Sequence, residues 1–148
     1  IQGLVTEFSE IDYIIVDSAA GLSSSNLTFF RACDLRIVVI EDEPASIADA
    51  YGLIKLQSIE NRMENLYILP NRVRNQSVGE TLFAKLNRVC MKFLEQPVGY
   101  LLSIEEDQCL VQSSRKRGNL FELFPNSPSA RSFSLLADKL MKPTSSSY

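Results

Sequence analysis

Four short runs of apolar residues recur along the chain, and the segments between them are long enough to form helices. The runs cover residues 13–16, 35–40, 66–69 and 98–102. The first run, at 13–16, is rich in β-branched side chains and lacks polar alternation, which is typical of a strand buried on both faces. Strands that alternate with helices favour a parallel sheet with helices packed on it. We therefore predict an α/β fold, a three-layer sandwich around a mainly parallel sheet.

The composition predicts one domain and excludes several kinds of site. A chain of 148 residues with 45% hydrophobic residues is large enough for one core. We expect a single domain over residues 1–148, with a frayed tail at 143–148. The net charge of −3 excludes binding to nucleic acid through bulk positive charge, so no direct nucleic-acid binding is expected. The absence of histidine excludes histidine triads and histidine-ligated metals.

The cysteines and the first residues of the chain indicate where the protein is expected to be located and whether the sequence is a fragment. Cys33, Cys90 and Cys109 are dispersed and lack metal-ligand spacing, which suits a reducing cytosol. No apolar run approaches the roughly 20 residues that span a bilayer. The chain begins at Ile1, without a methionine, inside a segment whose pattern predicts the end of a helix. We interpret the sequence as a fragment or a processed piece of a cytoplasmic protein.

The first apolar run ends on a carboxylate, Asp17, which small residues and then Gly21 follow. In an open parallel sheet, ligands bind beyond the carboxyl ends of the strands, so we expect Asp17 at the mouth of a site. Gly21 can bring its backbone N–H close to an anion, where a side chain would clash. A solvated aspartate in a turn after a buried strand is the alternative, and it stays open.

Several helix ends and faces can be predicted from local patterns. Pro44 suits the first position of a helix, and the acidic triplet before it suits the positive end of the helix dipole. Ser77 and Glu80 have the spacing of a capping box, and the serine-rich segment around Ser23 can cap another helix. The clearest amphipathic stripe of a helix comprises Val78, Leu82, Phe83, Leu86, Val89, Cys90, Phe93 and Leu94. A last helix is expected at 129–141, and its predicted inner face comprises Phe133, Leu136, Ala137, Leu140 and Met141.

Taken in order, these segments resemble a known family. The motifs are Asp-Tyr-Ile-Ile-Val-Asp-Ser-Ala-Ala-Gly at 12–21, Ala-Cys-Asp at 32–34, Glu-Pro-Ala-Ser-Ile-Ala-Asp-Ala-Tyr at 43–51, Asn-Arg-Val at 71–73, Phe-Leu at 93–94, Val-Gly-Tyr at 98–100, Glu-Asp at 106–107 and Phe-Pro-Asn-Ser-Pro-Ser-Ala at 124–130. Together they are similar to the C-terminal two-thirds of a MinD/ParA-type ATPase, the deviant-Walker branch of the P-loop NTPases. Within that family, the chain most resembles the FlhG type, also called YlxH, which regulates flagellar number.

The resemblance implies a nucleotide site with ATP or ADP and Mg²⁺ as cofactors of the intact protein. Asp17 matches the aspartate that holds Mg²⁺ through water, and Gly21 matches the glycine whose N–H approaches the γ-phosphate. Asn71 matches the asparagine that hydrogen-bonds adenine, although it can also be a simple turn residue after a proline. Further nucleotide-binding positions are Arg72, Glu106 and Asp107, the last two in the segment that lines the base.

The resemblance also implies a function. ATP-dependent homodimerisation would expose a surface for partners and membrane, and hydrolysis would reset it. The implied partners are an FlhF-like GTPase of the signal-recognition-particle type and proteins of the flagellar switch complex. The implied location is the cytoplasm, with peripheral contact at the inner face of the cell membrane. Two alternatives stay open: a non-catalytic interaction module that has lost nucleotide chemistry, and an ATPase of division-site selection or plasmid and chromosome partition.

The chain departs from the family pattern in two places. It contains no glycine-rich phosphate loop with its lysine, and no catalytic residue is assigned. The strand that leads into that loop lies in the middle of the family's sheet, so we expect the chain to need its N-terminal part or a replacement strand. Glu41 and Asp42 stand where the family has threonine and proline. If that strand end faces the nucleotide, two extra carboxylates would repel a triphosphate.

Two surface features have alternative interpretations. The basic run Arg115-Lys116-Arg117 can meet an acidic partner or lipid head groups, but a solvated face is the simpler interpretation. The last helix can be an amphipathic membrane tether. Its length of about 12 residues and its few basic side chains favour packing in the core instead.

Overall fold

The structure is a computed structural model that describes residues 11–18 and 23–141. Its Cα positions group into two compact units, Ile1–Arg36 and Ile37–Tyr148. The helix predicted before residue 9, the position of Gly21 and the tail at 143–148 lie outside the described residues. The expectation of a single domain stays a prediction.

In the first unit, the prediction of a buried strand at residues 13–16 is wrong. The structure assigns no strand there, and the side chains of Tyr13 to Val16 are between 37% and 92% exposed. A strand requires a hydrogen-bonded neighbour, and apolar side chains alone cannot supply one. The segment has no such neighbour among the described residues. Helix α1 (Ser24–Ala32) begins as predicted, because the Ser23 hydroxyl accepts a hydrogen bond from the Asn26 N–H over 3.2 Å.

A parallel sheet in the second unit confirms the other three strands. Its order is β1 (Arg36–Ile40), β2 (Leu66–Pro70) and β3 (Gly99–Tyr100), and Tyr67 lies opposite Gly99 in the register of β2 and β3. The prediction of burial on both faces holds for the central strand β2. It fails in β1 at Val39, which is exposed.

Two long helices connect these strands. Helix α2 (Pro44–Ile59) has its proline at the predicted first position, although Glu43 makes no side-chain cap. Helix α3 (Gln76–Leu94) begins earlier than predicted, so the Ser77–Glu80 capping box is wrong. Asn75 caps it instead, with its Oδ1 atom accepting from the Val78 N–H over 3.0 Å. Asparagine is among the best capping residues, which explains why the helix starts there.

The core lies between β2, β3 and the helices that cover them. Helix α3 packs against β2 and buries Leu82, Leu86 and Cys90 of the predicted stripe, whereas Phe93 is exposed. Burial raises the pKa of the Cys90 thiol to about 11, so this thiol is neutral inside the core. A second cluster contains the buried residues Leu69, Leu101, Leu102 and Ile104, with Ile37, Tyr67, Phe133 and Leu136 packed against it.

Three further helices complete the second unit: α4 (Gln108–Arg115), α5 (Leu120–Leu123) and α6 (Pro128–Met141). The inner face predicted for α6 is only partly right. Phe133 and Leu136 pack on the core, but Ala137 and Met141 are exposed. The small side chains Ser129, Ala130 and Ser132 in the first half of the helix are buried instead. No helix within the described residues is long and apolar enough to cross a membrane.

Candidate functional site

Four of the six predicted nucleotide-binding residues come together at the carboxyl edge of the sheet. Asn71 directly follows β2, and its backbone N–H donates to the Ile40 carbonyl at the end of β1 over 2.7 Å. On the other side, the Ile104 N–H donates to the Pro70 carbonyl over 2.8 Å. The chain leaving β2 is therefore fixed between the ends of its two neighbours.

The parallel pairing continues past the named strands and sets the positions of the acidic residues. Val73 forms a parallel bridge with Glu105, and the Glu106 N–H donates to the Val73 carbonyl over 2.9 Å. Because side chains alternate along an extended chain, Glu105 and Glu106 point to opposite faces. Glu106 consequently faces Arg72, whereas Glu105 accepts a hydrogen bond from Gln76.

Arg72 lies between two carboxylates at this edge. Its backbone has a φ of 54°, in the left-handed region. Its guanidinium is 3.3 Å from a Glu41 oxygen and 3.8 Å from a Glu106 oxygen. The Arg72 side chain is 62% exposed, so each pair contributes only about 0–1 kcal/mol. The pairs therefore contribute little to stability. Their consequence is electrostatic, because the Arg72 cation offsets the negative charge of Glu41, the residue that stands where the resembled family has threonine.

The Asn71 side chain is available to a ligand. It is half-buried, and its amide makes no hydrogen bond with any residue in the described part of the chain. An amide offers both a donor and an acceptor, as recognition of a base edge requires. The turn-residue alternative gains no support from the side chain, which does not cap the backbone that follows it.

Asp107 has a structural role in this arrangement. One carboxylate oxygen accepts the Cys109 N–H over 2.8 Å and caps α4, and the other accepts the Ser129 N–H over 3.0 Å at the start of α6. Desolvation raises the pKa of Asp107, but the hydrogen bonds from Ser129 and Cys109 outweigh it, so the pKa is lowered overall. Asp107 thus links the start of α4 to the start of α6.

The sequence interpretation missed Gln76, which ties α3 to the segment after β3. Its amide nitrogen donates to the Ser103 carbonyl over 2.9 Å and to the Glu105 carboxylate over 3.2 Å. Its amide oxygen accepts the Ser103 N–H over 3.3 Å. No local signal could reveal this role, because the partners lie 27 and 29 residues away.

A cleft of about 230 Å³ adjoins this connection but is separate from the Asn71 edge. Its walls come from the segment after β3, the start of α3 and the first half of α6. The lining residues are Gln76, Leu102, Ser103, Glu105, Pro128, Arg131, Ser132 and Leu135. None of the predicted nucleotide-binding residues lines the cleft. Four of them lie at the Asn71 edge, and their role in binding a nucleotide stays a prediction.

Comparison with known proteins gives two flagellar relatives. The antiactivator FleN of Pseudomonas aeruginosa is 36% identical over 142 residues, which cover 93% of this chain and 51% of FleN. The flagellum site-determining protein YlxH of Helicobacter pylori is 29% identical over 134 residues, 90% of this chain and 45% of YlxH. The chain is related to the FlhG-type proteins of the MinD/ParA ATPase family. It aligns with the C-terminal part of these relatives and spans about half of their length.

The wider MinD/ParA family is represented in both sequence and structure. The septum site-determining protein MinD of Bacillus subtilis is 32% identical over 85 residues, 55% of this chain and 32% of MinD. The solved structure of the MinD cell division protein of Aquifex aeolicus has a TM-score of 0.70 at 23% identity, over 99% of this chain and 60% of that one. The same protein in complex with MinC also has a TM-score of 0.70. These two likenesses show the fold. No protein-family model matches the chain.

The two phosphate-side residues of the FlhG-type site remain predictions. Asp17 lies in the first unit, with an exposed side chain, and Gly21 lies outside the described residues. Within residues 11–18 and 23–141, no group of three or more cysteine or acidic side chains is arranged to hold a metal ion.

Proposed function

We propose that the chain forms part of an FlhG-type nucleotide switch that sets the number or placement of flagella. The observation that supports it most is the 36% identity to the antiactivator FleN along 93% of the chain. A second flagellar relative, YlxH, is named for determining the flagellum site. The proximity of Asn71, Arg72 and Glu106 at one edge of the sheet also supports the proposal.

In this proposal ATP or ADP binds with its base against the Asn71 edge. The free Asn71 amide hydrogen-bonds the adenine, and Arg72 and Glu106 flank it. Asp107 orients the lining segment through its two backbone hydrogen bonds. Asp17, whose carboxylate is exposed, would hold Mg²⁺ through a water molecule, and the ion would supply positive charge for the phosphates. Gly21 is assigned to the γ-phosphate by resemblance.

The proposed switch acts by changing its surfaces with the nucleotide. ATP favours a homodimer that binds partners, and hydrolysis returns the protein to its resting state. We assign as partners an FlhF-like GTPase and proteins of the flagellar switch complex, at the inner face of the cell membrane. The MinD structure solved with MinC is an example of partner binding by a protein of this fold.

Counting flagella in the bacterium that carries the chain tests this function. Deletion of the gene is expected to change the number or position of flagella per cell, as scored by electron microscopy. The wild-type gene should restore the normal pattern, whereas Asn71→Ala should fail. Asn61→Gly is the matched control, because it removes an exposed amide after α2 that is not among the predicted nucleotide-binding residues, and glycine adopts the left-handed backbone of that position without strain.

Each outcome of that experiment separates the proposal from an alternative. Normal flagella in the deletion strain, with misplaced division septa, would contradict the flagellar function and support a division-site role. A flagellar defect that Asn71→Ala fully corrects would indicate an interaction module that does not use nucleotide. Folded Asn71→Ala protein, verified by its thermal midpoint, is required in either case.

A further inference from the structure

The hairpin of α4 and α5 presents cations and apolar side chains together. We call residues 108–124 the basic knob. The end of α4 and the turn after it carry the exposed residues Arg115, Lys116 and Arg117, and none of them forms an ion pair with a described residue. Its exposed apolar side chains are Val111 at 40%, Phe121 at 47% and Leu123 at 41%. Neither the base site nor the core uses these residues.

The turn that carries the cations is fixed by backbone hydrogen bonds. The N–H groups of Lys116, Arg117 and Gly118 donate to carbonyls in the last turn of α4, each over 3.0 Å. The Leu123 side chain packs so closely on Gly118 that a Cβ atom there would lie 2.6 Å from it. A surface whose backbone is already ordered loses less conformational entropy when it binds a partner.

The charge of the knob contrasts with that of the chain. Residues 108–124 carry a net charge of +2, whereas the rest of the chain carries −5. A cation at the end of a helix interacts favourably with the helix dipole, which explains Arg115. It does not explain Arg117, which lies beyond the helix in the left-handed region, or the exposed Phe121 nearby.

We propose that the basic knob is a docking surface for an acidic segment of a partner protein, in which apolar side chains lie between the carboxylates. Charge complementarity selects the acidic groups, and Val111, Phe121 and Leu123 offer contacts for the apolar ones. A discrete segment fits better than a flat anionic membrane, because Glu122 lies within the knob and Glu106 just before it. Three cations alone also attract a protein to anionic lipid only weakly. The surface does not depend on nucleotide binding.

Peptide selection tests this surface. A random library of peptides about 12 residues long is displayed on phage, and the phage are selected for binding to the whole chain. The selected peptides are expected to combine acidic and apolar residues. Their affinity, measured by fluorescence anisotropy, should fall about tenfold or more in the variant Arg115→Gln/Lys116→Gln/Arg117→Asn. Asparagine at position 117 tolerates the left-handed backbone. The control Lys55→Gln/Lys85→Gln/Arg88→Gln removes the same charge from α2 and α3 and should bind normally.

Several results would overturn the proposal. Selected peptides without acidic residues, or no selection above background, would show that the surface does not recognise such segments. Equal loss in both triple variants would indicate general attraction to the chain. Co-sedimentation of the wild-type chain with vesicles of phosphatidylserine and phosphatidylcholine, lost only in the knob variant, would assign the knob to a membrane. Val111→Ser/Phe121→Ser should weaken peptide binding at unchanged charge, and normal binding by this folded variant would also contradict the proposal.

Discussion

Replacement of Gly79 by alanine is expected to lower the free energy of unfolding by about 2 kcal/mol. A Cβ atom at this position in α3 would lie 1.9 Å from the Ser103 Oγ atom and 2.5 Å from its Cβ. Ser103 cannot move away easily, because Gln76 binds its backbone and the Tyr100 hydroxyl lies 2.9 Å from its own. Alanine favours a helix by about 1 kcal/mol over glycine, but overpacking costs up to about 3 kcal/mol.

A double-mutant cycle tests whether this contact is the cause. Ser103→Gly removes both of the atoms that would lie less than 3 Å from the new methyl group. In that background, Gly79→Ala should be neutral or stabilising by about 1 kcal/mol, the gain in helix propensity. Urea denaturation of the four proteins measures the coupling. A similar loss in both backgrounds would mean that the strain comes from elsewhere.

Removal of the Asp107 side chain is the second large effect that we expect. Asp107→Ala should destabilise the chain by about 2 kcal/mol, because the carboxylate accepts one hydrogen bond at the start of each of two helices and a lost cap costs about 1 kcal/mol. Asp107→Asn keeps one acceptor and should lose about half as much. Equal losses in the two variants would indicate that charge matters more than the hydrogen bonds.

The pH dependence of this effect has a defined sign. The folded-state pKa of Asp107 is lowered from its ordinary value of 3.8, so the carboxylate contributes its full stability above that value. The contribution is lost as the pH falls through the lower folded-state pKa. The difference in unfolding free energy between wild type and Asp107→Ala should therefore be largest near neutral pH and shrink in acid. A constant difference would contradict the depressed pKa.

Local sequence patterns correctly predicted β2 and α3, whose apolar side chains are buried in the core. The apolar run that became β2 is buried, and the stripe of α3 places Leu82 and Leu86 in the core. The same reasoning failed at residues 13–16, because a strand also depends on a hydrogen-bonded neighbour that the run does not specify. The resemblance to a known family, and not the periodicity, selected Asn71 and Arg72.

The connections within the candidate site were not predictable from local sequence. Gln76 and Ser103 are separated by 27 residues, and only the parallel pairing after β2 and β3 brings them together. Asp107 was predicted as part of the segment that lines the base, yet nothing in the sequence indicated that Ser129 would use its second oxygen. Nor did the sequence indicate that Arg72 would face Glu41, the carboxylate expected to repel a triphosphate.

The central claim is that a nucleotide binds at the Asn71 edge. The most direct test is to titrate Mg-ATP into the natural-length gene product and to measure the intact mass on the same sample. The account predicts saturable micromolar binding, and an affinity about tenfold lower for Asn71→Ala because the base loses its hydrogen bonds. The control Asn61→Gly should bind like the wild type. No saturable binding, or equal affinity for wild type and folded Asn71→Ala, would contradict a nucleotide site at this edge.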